Sequence, residues 1–407
     1  MSKRSRFAAL LFVVLGISIA VAQSARSEQP ENRVIAAKLQ PMVDGQTMAG
    51  AVTLVASKDK VLDLETVGYA DIAAKKEMAP DDLFWIASMS KGMTAAAMMM
   101  LVDEGKVNVD DPVEKYLPEF HGQMVEVEQD ENHVVLKKPE HPIKIREILS
   151  HTSGLPFMSR IEGISHHIDT MPLSEAVITY AMSPLNFEPG TKFSYSNAGI
   201  NTGGRIVEVV SGMPYEKFMQ ERLFDPLGMK DTTFFPTDEQ LQRLAKSYRH
   251  GADNSGLQEL PIEQLTYPLD AHNRFPSPAG GLFSTATDVG LFCQMLLNGG
   301  TFQGKHYLSA AAVQQMSCTQ TDEILSHPPA ENGYGFGFFT SKKVQGEPVP
   351  GSGGVFGHGG AYSTNMDIDP QHELVKIFMV QSAGAPGPHG HMALPVFQKA
   401  ADEAFAK

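Results

Sequence analysis

Strand-like runs stand near both ends of this 407-residue chain, and helical patterns fill its middle. Residues 49–56 and 61–69 alternate as two strands joined by a polar turn at 57–60, and residues 334–340, 361–368 and 375–381 regain strand character. Helical periodicity covers 201–210, 215–223 and 286–297, and an amphipathic pattern at 394–406 closes the chain. Shorter pieces fall around these: a helix near 32–42, a helical fragment from Asp111-Pro112 to Pro118, a solvent-facing hairpin at 124–138 and a short helix at 143–149. Strands contributed by both termini around a helical centre predict an α+β fold, with an antiparallel sheet flanked by helices and a mainly helical subdomain inserted.

The chain opens with Lys3, Arg4 and Arg6, followed by an apolar run from residue 7 to Ala22 that ends Ala20-Val21-Ala22. A basic start, a mid-length apolar core and an Ala-x-Ala end predict a signal peptide over 1–22 and a mature hydrolase domain over 23–407, periplasmic or secreted. The rival reading, an uncleaved anchor, has a run slightly short of the roughly 20 residues a span needs. No stable membrane span is expected after cleavage. Loss of the three basic residues makes the mature protein more acidic than the full-length charge of −14. That balance argues against nucleic acid, whose phosphates are met by Lys and Arg. The two cysteines, Cys293 and Cys318, are compatible with one bridge in an exported protein. Cys293 also lies in an apolar helical pattern where a packed thiol fits, so geometry decides between the two.

Chemistry concentrates at Ser88-Met-Ser-Lys91, where a Trp-Ile-Ala run gives way to the small and apolar stretch 92–102. Serine and lysine three residues apart at a helix start share one face. A basic nitrogen beside a hydroxyl is what a weak nucleophile needs to lose its proton during attack, and the helix N-terminus favours developing negative charge. A second copy, Ser57-Lys-Asp-Lys60, falls in the turn between strands and carries no such weight. Two further motifs follow in order, each present once: Tyr195-Ser-Asn197, after the turn Phe187-Glu-Pro-Gly190, and His358-Gly359-Gly360, ahead of Ala361. Ser88 Oγ suits attack on a carbonyl. Lys91 and Tyr195 suit proton handling, Tyr195 provided neighbouring cations favour its phenolate. Asn197 suits a contact to the substrate carbonyl and a brace for Lys91. The glycines let a substrate lie against a strand edge, and the backbone N–H groups of Ser88 and Ala361 suit an oxyanion hole.

The set Ser88-x-x-Lys91, Tyr195-x-Asn197, His358-x-Gly360 resembles the serine β-lactamase-related superfamily of penicillin-recognising serine acyl enzymes, and is most similar to its class C-like branch. That branch includes D,D-peptidases, D-amino-acid peptidases and esterases. Supporting phrases include Phe84-Trp-Ile-Ala-Ser88, Leu149-Ser-His-Thr-Ser-Gly-Leu155 and Gly280-Gly-Leu-Phe-Ser-Thr285. The resemblance implies an α+β β-lactamase/transpeptidase-like fold and a cleft holding Ser88, Lys91 and Tyr195 as catalytic residues. Asn197, His358, Gly359, Gly360 and Ala361 would face the substrate, a small ester, amide or β-lactam. One departure stands out: many relatives carry Lys-Thr-Gly or Lys-Ser-Gly where this chain has His358-Gly359-Gly360. A histidine is mostly neutral near pH 7, and a lost charge-assisted bond to a carboxylate is worth about 1.5–3 kcal/mol. Weight moves from β-lactamase activity to ester hydrolysis, with D-amino-acid or D,D-peptidase or weak β-lactamase activity as the alternative. A non-catalytic cell-wall-binding protein on the same scaffold is the alternative of another class.

Several features take plainer readings. His151, in the Ser-His-Thr-Ser-Gly loop, reads as a structural loop contact, not a base. His166-His167 and His389-Gly-His391 lack companion ligands at metal spacing, so no metal and no cofactor is expected. Met98-Met-Met100 reads as core packing. No G-x-S-x-G elbow occurs, which removes the usual α/β-hydrolase explanation.

Overall fold

The computed structural model describes residues 33–161, 170–251, 256–265, 267–272, 274–321, 332–341, 343–344, 347–348, 354–384 and 392–406. The expected signal peptide and the two histidine pairs at 166–167 and 389–391 lie outside the described residues.

Eight strands form one antiparallel sheet. In chain order they are β1 (Gly50–Ala56), β2 (Val61–Asp71), β3 (Lys76–Glu77), β4 (Asn332–Tyr334), β5 (Phe339–Ser341), β6 (Phe356–Gly359), β7 (Asn365–Asp369) and β8 (Leu374–Met379). Their order across the sheet is β4-β5-β6-β7-β8-β1-β2-β3. The two chain ends meet inside the sheet, where β1 lies between β2, with Leu54 opposite Leu64, and β8, with Leu54 opposite Ile377. Every residue of β1 is buried because alternate side chains enter different cores. Ala51 and Val55 pack with Ile35, Leu39, Phe378 and Phe397 beneath the terminal helices α1 (Val34–Asp44) and α5 (Ala393–Phe405). Val52, Leu54 and Ala56 face the larger core, which also holds α2 (Ser90–Asp103), α3 (Asn197–Ser211) and α4 (Ala286–Leu297). The α+β arrangement expected from the chain's two ends is therefore the observed one, and Met98, Met99 and Met100 are core residues.

Three expectations change. The run 334–340 is not one strand: Gly337 adopts φ +76° and separates β4 from β5. A Cβ there would sit 2.6 Å from the Lys91 carbonyl oxygen, so the turn is pressed directly onto α2. Nor is 361–368 continuous. His358 lies in its own strand, β6, and Ser363, at φ +69°, turns the chain into β7. The expected helix at 215–223 is α-helical only over Tyr215–Met219 before a wider π turn takes over. Cys293 and Cys318 are both free thiols, with Cys293 buried in α4 and its Sγ 3.8 Å from the Met366 sulfur. Among the described residues no helix is long and apolar enough to cross a membrane.

Candidate active site

Ser88 occupies a one-turn 3-10 helix, Ala87–Met89, that runs straight into α2. The turn is fixed from both sides. Ile86 N–H donates to the Leu282 carbonyl at 3.0 Å, the Trp85 indole donates to the Gly280 carbonyl at 2.8 Å, and Ser90 Oγ donates to the Ala87 carbonyl at 2.6 Å. Ala87 sits at φ +45°, a conformation that costs a non-glycine residue on the order of 1–2 kcal/mol and persists only where its surroundings over-determine it. The bend turns the chain so that the next side chain, Ser88, meets Lys91.

Lys91 is fully buried, with Nζ 3.1 Å from Ser88 Oγ and donating to the Ala279 carbonyl at 2.7 Å. Burial drives its pKa well below the ordinary lysine value. The nitrogen also lies 4.7 Å from the centre of the Tyr195 ring. The expected brace by Asn197 is not formed. Asn197 is the first residue of α3, and its buried Oδ1 has no partner among the described residues. The backbone of Ala279 holds the lysine instead. Asn201, one turn further along α3, accepts the Ala279 N–H at 3.0 Å and so sets that carbonyl. A main-chain partner has no residue-type signature, which is why no motif announced it.

Tyr195 stands just before Ser196, the residue that caps α3 by accepting the Gly199 N–H at 3.0 Å. The Phe157 carbonyl accepts from Asn197 and Ala198 N–H at 3.0 and 3.1 Å, and the Pro156 carbonyl accepts from Ser196 Oγ at 2.7 Å. The tyrosine's place is thus set by the helix end behind it. Its pKa is raised above the ordinary phenol value, first because it is buried, with the hydrogen bond to Ser88 acting the other way. This corrects the expectation of a cation-favoured phenolate: a desolvated phenol keeps its proton.

His358 reaches the same point from β6. Its Nε2 lies 3.3 Å from the Tyr195 hydroxyl and its Nδ1 lies 2.7 Å from the Gly359 carbonyl. A carbonyl only accepts, so the ring proton is on Nδ1 and Nε2 offers a lone pair to the tyrosine hydroxyl. Burial, then the nearby Lys91, push the His358 pKa down to about 3, so the ring is neutral. Of the two glycines behind it, only Gly360 is demanded by space. A Cβ at 360 would lie 2.7 Å from the Ile86 carbonyl oxygen, whereas one at 359 meets nothing closer than 3.6 Å. Gly360 thereby lays the Gly360–Ala361 backbone along the turn that carries Ser88. Ala361 packs on the apolar cluster that includes Ala87.

The motifs spread over 270 residues of sequence thus meet at one place. Amine, hydroxyl, phenol and neutral imidazole lie in contact, and two exposed aromatic rings, Phe157 and Phe339, stack over Tyr195 at 6.4 and 6.3 Å. The motifs did not reveal Phe339 or Tyr334, whose ring lies 6.5 Å from that of Tyr195. Both flank the break between β4 and β5, where the sequence read as one strand.

A sequence model described as "Beta-lactamase" matches residues 35–401. Protein Rv1367c of Mycobacterium tuberculosis is 34% identical over 364 residues, covering 85% of this chain and 88% of that protein. Esterase EstB of Burkholderia gladioli is 27% identical over 388 residues, covering 87% and 93%. Among solved structures, EstCE1, titled a hydrolase with promiscuous acyltransferase activity, superposes with a TM-score of 0.75 at 25% identity, over 90% of this chain and 97% of that one. A match running from the first helix into the last, on a fold that its solved relatives share, makes the protein a serine hydrolase belonging to the β-lactamase family.

Proposed function

We propose that the protein is an exported esterase that hydrolyses small carboxylic esters through a covalent acyl-enzyme on Ser88. In this reading Lys91, whose charged form burial disfavours, donates one N–H to the Ala279 carbonyl and, when deprotonated, turns its lone pair to the Ser88 hydroxyl 3.1 Å away. Ser88 Oγ attacks the ester carbonyl carbon as its proton passes to Lys91 Nζ, and the carbonyl electron pair moves onto oxygen, towards the N–H groups of Ser88 and Ala361. When the tetrahedral species collapses, the C–O bond to the alcohol breaks, and the departing alkoxide takes a proton delivered by Lys91 and Tyr195. Water then attacks the acyl carbon, gives its proton to the same pair, and Ser88 leaves protonated as the acid departs. General acid–base help of this kind contributes typically about 10²–10⁴-fold.

One observation carries the ester reading over the other members of the class: the buried, neutral His358 at the position where a carboxylate-bearing substrate needs a cation. An ester presents no such carboxylate. The Phe157 and Phe339 rings at the mouth support apolar substituents on either side of the scissile bond. A D-amino-acid peptidase is the second reading, favoured by the His-x-Gly motif itself. EstB supports the first by name.

The test is a panel of p-nitrophenyl acetate, p-nitrophenyl butyrate, nitrocefin and a D-alanyl p-nitroanilide, with a serine-directed phosphonate as a label. The esters are expected to turn over fastest, and labelling is expected to vanish in Ser88→Ala. Nitrocefin hydrolysis faster than ester hydrolysis overturns the substrate assignment, and no labelling of folded wild type overturns the acyl-enzyme. Export is tested by sequencing the N-terminus of the protein recovered from the periplasm or medium, expected to start at Gln23.

A further inference from the structure

His151 belongs to no step of that scheme, yet it is tightly held beside Tyr195. It is 1% exposed and held at φ +60°, the left-handed region that a residue with a Cβ enters only at a cost. Its backbone and its ring grip the two residues on either side of Tyr195. Ser194 N–H donates to the His151 carbonyl at 2.9 Å, and Ser196 N–H donates to His151 Nδ1 at 3.1 Å. Between these two anchors the imidazole lies against the Tyr195 ring, with centroids 4.3 Å apart. The far nitrogen, Nε2, is 3.1 Å from the buried Tyr334 hydroxyl.

These contacts fix the ring's proton. A backbone N–H only donates, so Nδ1 must hold a lone pair and the proton sits on Nε2, facing Tyr334. Neither nitrogen is available to Ser88, which excludes the base role that a histidine in this loop invites. Burial of the ring, and then any charge on the nearby Lys91, disfavours the imidazolium. Protonation of Nδ1 would break the bond to Ser196 and turn two donors towards each other.

We infer that His151 is a positioning residue: locked as the neutral Nε2–H tautomer, it clamps Ser194 and Ser196 and so aims the Tyr195 hydroxyl at Ser88 and His358. The strained backbone at 151 is what lets one residue reach both sides of Tyr195. The inference rests on the acyl-enzyme reading for its kinetic consequence, but not for its geometry.

Two substitutions tolerate the left-handed backbone and differ in what they offer Ser196. His151→Gly supplies neither acceptor nor ring, and His151→Asn supplies an acceptor oxygen. With p-nitrophenyl butyrate, His151→Gly is expected to lose about 100-fold in kcat, the scale of an ångström-sized misplacement, with KM within about threefold. His151→Asn is expected to recover at least tenfold of that loss. A glycine variant with wild-type kcat, or an asparagine variant no better than glycine, overturns the inference. The tautomer is read separately, by ¹⁵N NMR of the histidine-labelled wild type, with the signal assigned by its disappearance in His151→Asn. The expected signal is neutral with its proton on Nε2 from pH 8 to pH 5. A proton on Nδ1, or titration near pH 6.5, overturns the inference even if no ester is hydrolysed. Failure of the functional reading shows differently, as loss of Ser88 labelling in the wild type itself.

Discussion

His151 and His358 approach Tyr195 as two neutral imidazoles of opposite tautomer, the first with its proton on Nε2 and the second with its proton on Nδ1. Each tautomer is dictated by a backbone partner, the Ser196 N–H in one case and the Gly359 carbonyl in the other. Neither ring can take up a proton without disturbing the tyrosine between them. This makes the site sensitive to acid as a matter of folding, before any question of rate.

In the unfolded chain the His358 ring takes up a proton below about pH 6.5, whereas in the folded protein it does so only near pH 3. The stability carried by the neutral ring is therefore complete above pH 6.5 and declines as pH falls towards 3. His358→Gln, which never titrates, is expected to lose less stability than wild type between pH 7 and pH 4.5 in urea unfolding. Equal losses in the two proteins would remove His358 as a source of acid sensitivity.

Lys91 is expected to work as an amine, so a residue that keeps its length and charge but cannot release a proton should not replace it. Lys91→Arg is predicted to fall by about 10²–10⁴-fold in kcat/KM for p-nitrophenyl butyrate, alongside Lys91→Met. In wild type, kcat/KM should rise with pH through a group well below the ordinary lysine range, since burial lowers Lys91. An arginine variant that keeps a tenth or more of wild-type activity would assign the base elsewhere.

Much of this was readable beforehand, and the parts that were not share a cause. Ser88, Lys91, Tyr195 and His358 were legible because each motif needs particular side chains at fixed spacing, and the structure brings all four together. The sheet built from both termini was legible because β1, β2 and β8 keep long apolar patterns. What stayed hidden was set by backbone. The Ala279 carbonyl under Lys91 leaves no residue-type trace, and Gly337, whose turn splits one apparent strand, is a glycine within an aromatic run that otherwise reads as strand. The aromatic run 334–339 keeps a strand's composition, yet close approach to the Lys91 carbonyl forces a turn there. His151 was rightly kept from the base's role, but its partners depend on a left-handed conformation that no periodicity signals.

Tyr195→Phe separates the phenol from its ring. The ring's contacts to Lys91, His151, Phe157 and Phe339 survive, and only the hydroxyl, which meets Ser88 and His358, is removed. Burial holds that hydroxyl in its protonated form, so its part is to pass protons, not to carry charge at rest. The variant is predicted to keep wild-type thermal stability or gain slightly, and to lose about 10²–10⁴-fold in kcat with little change in KM. Activity within tenfold of wild type would leave Lys91 as the sole proton carrier.

A pair of buried acids on β2 predicts the opposite pH behaviour. Asp63 and Glu65 project from the same face of β2 and are 8% and 2% exposed. Glu65 Oε2 accepts the Ala36 N–H at 2.5 Å, near the start of α1, while Asp63 Oδ2 and Glu65 Oε1 have no partner among the described residues. Beside a second carboxylate in a buried setting, the protonated form of Asp63 is favoured. Burial, then the charge of Glu65, raise the Asp63 pKa to about 7. In the unfolded chain Asp63 releases its proton near pH 4, so the folded state holds the extra proton between roughly pH 4 and 7. Stability from this pair is therefore greatest below pH 4 and declines as pH rises through 7. Asp63→Asn keeps the shape, cannot ionise, and can donate to Glu65 at any pH. The variant is predicted to unfold at higher urea than wild type at pH 8.5, with the gap closing at pH 5. A variant less stable than wild type at pH 8.5 would mean that the ionised Asp63 carboxylate stabilises the fold.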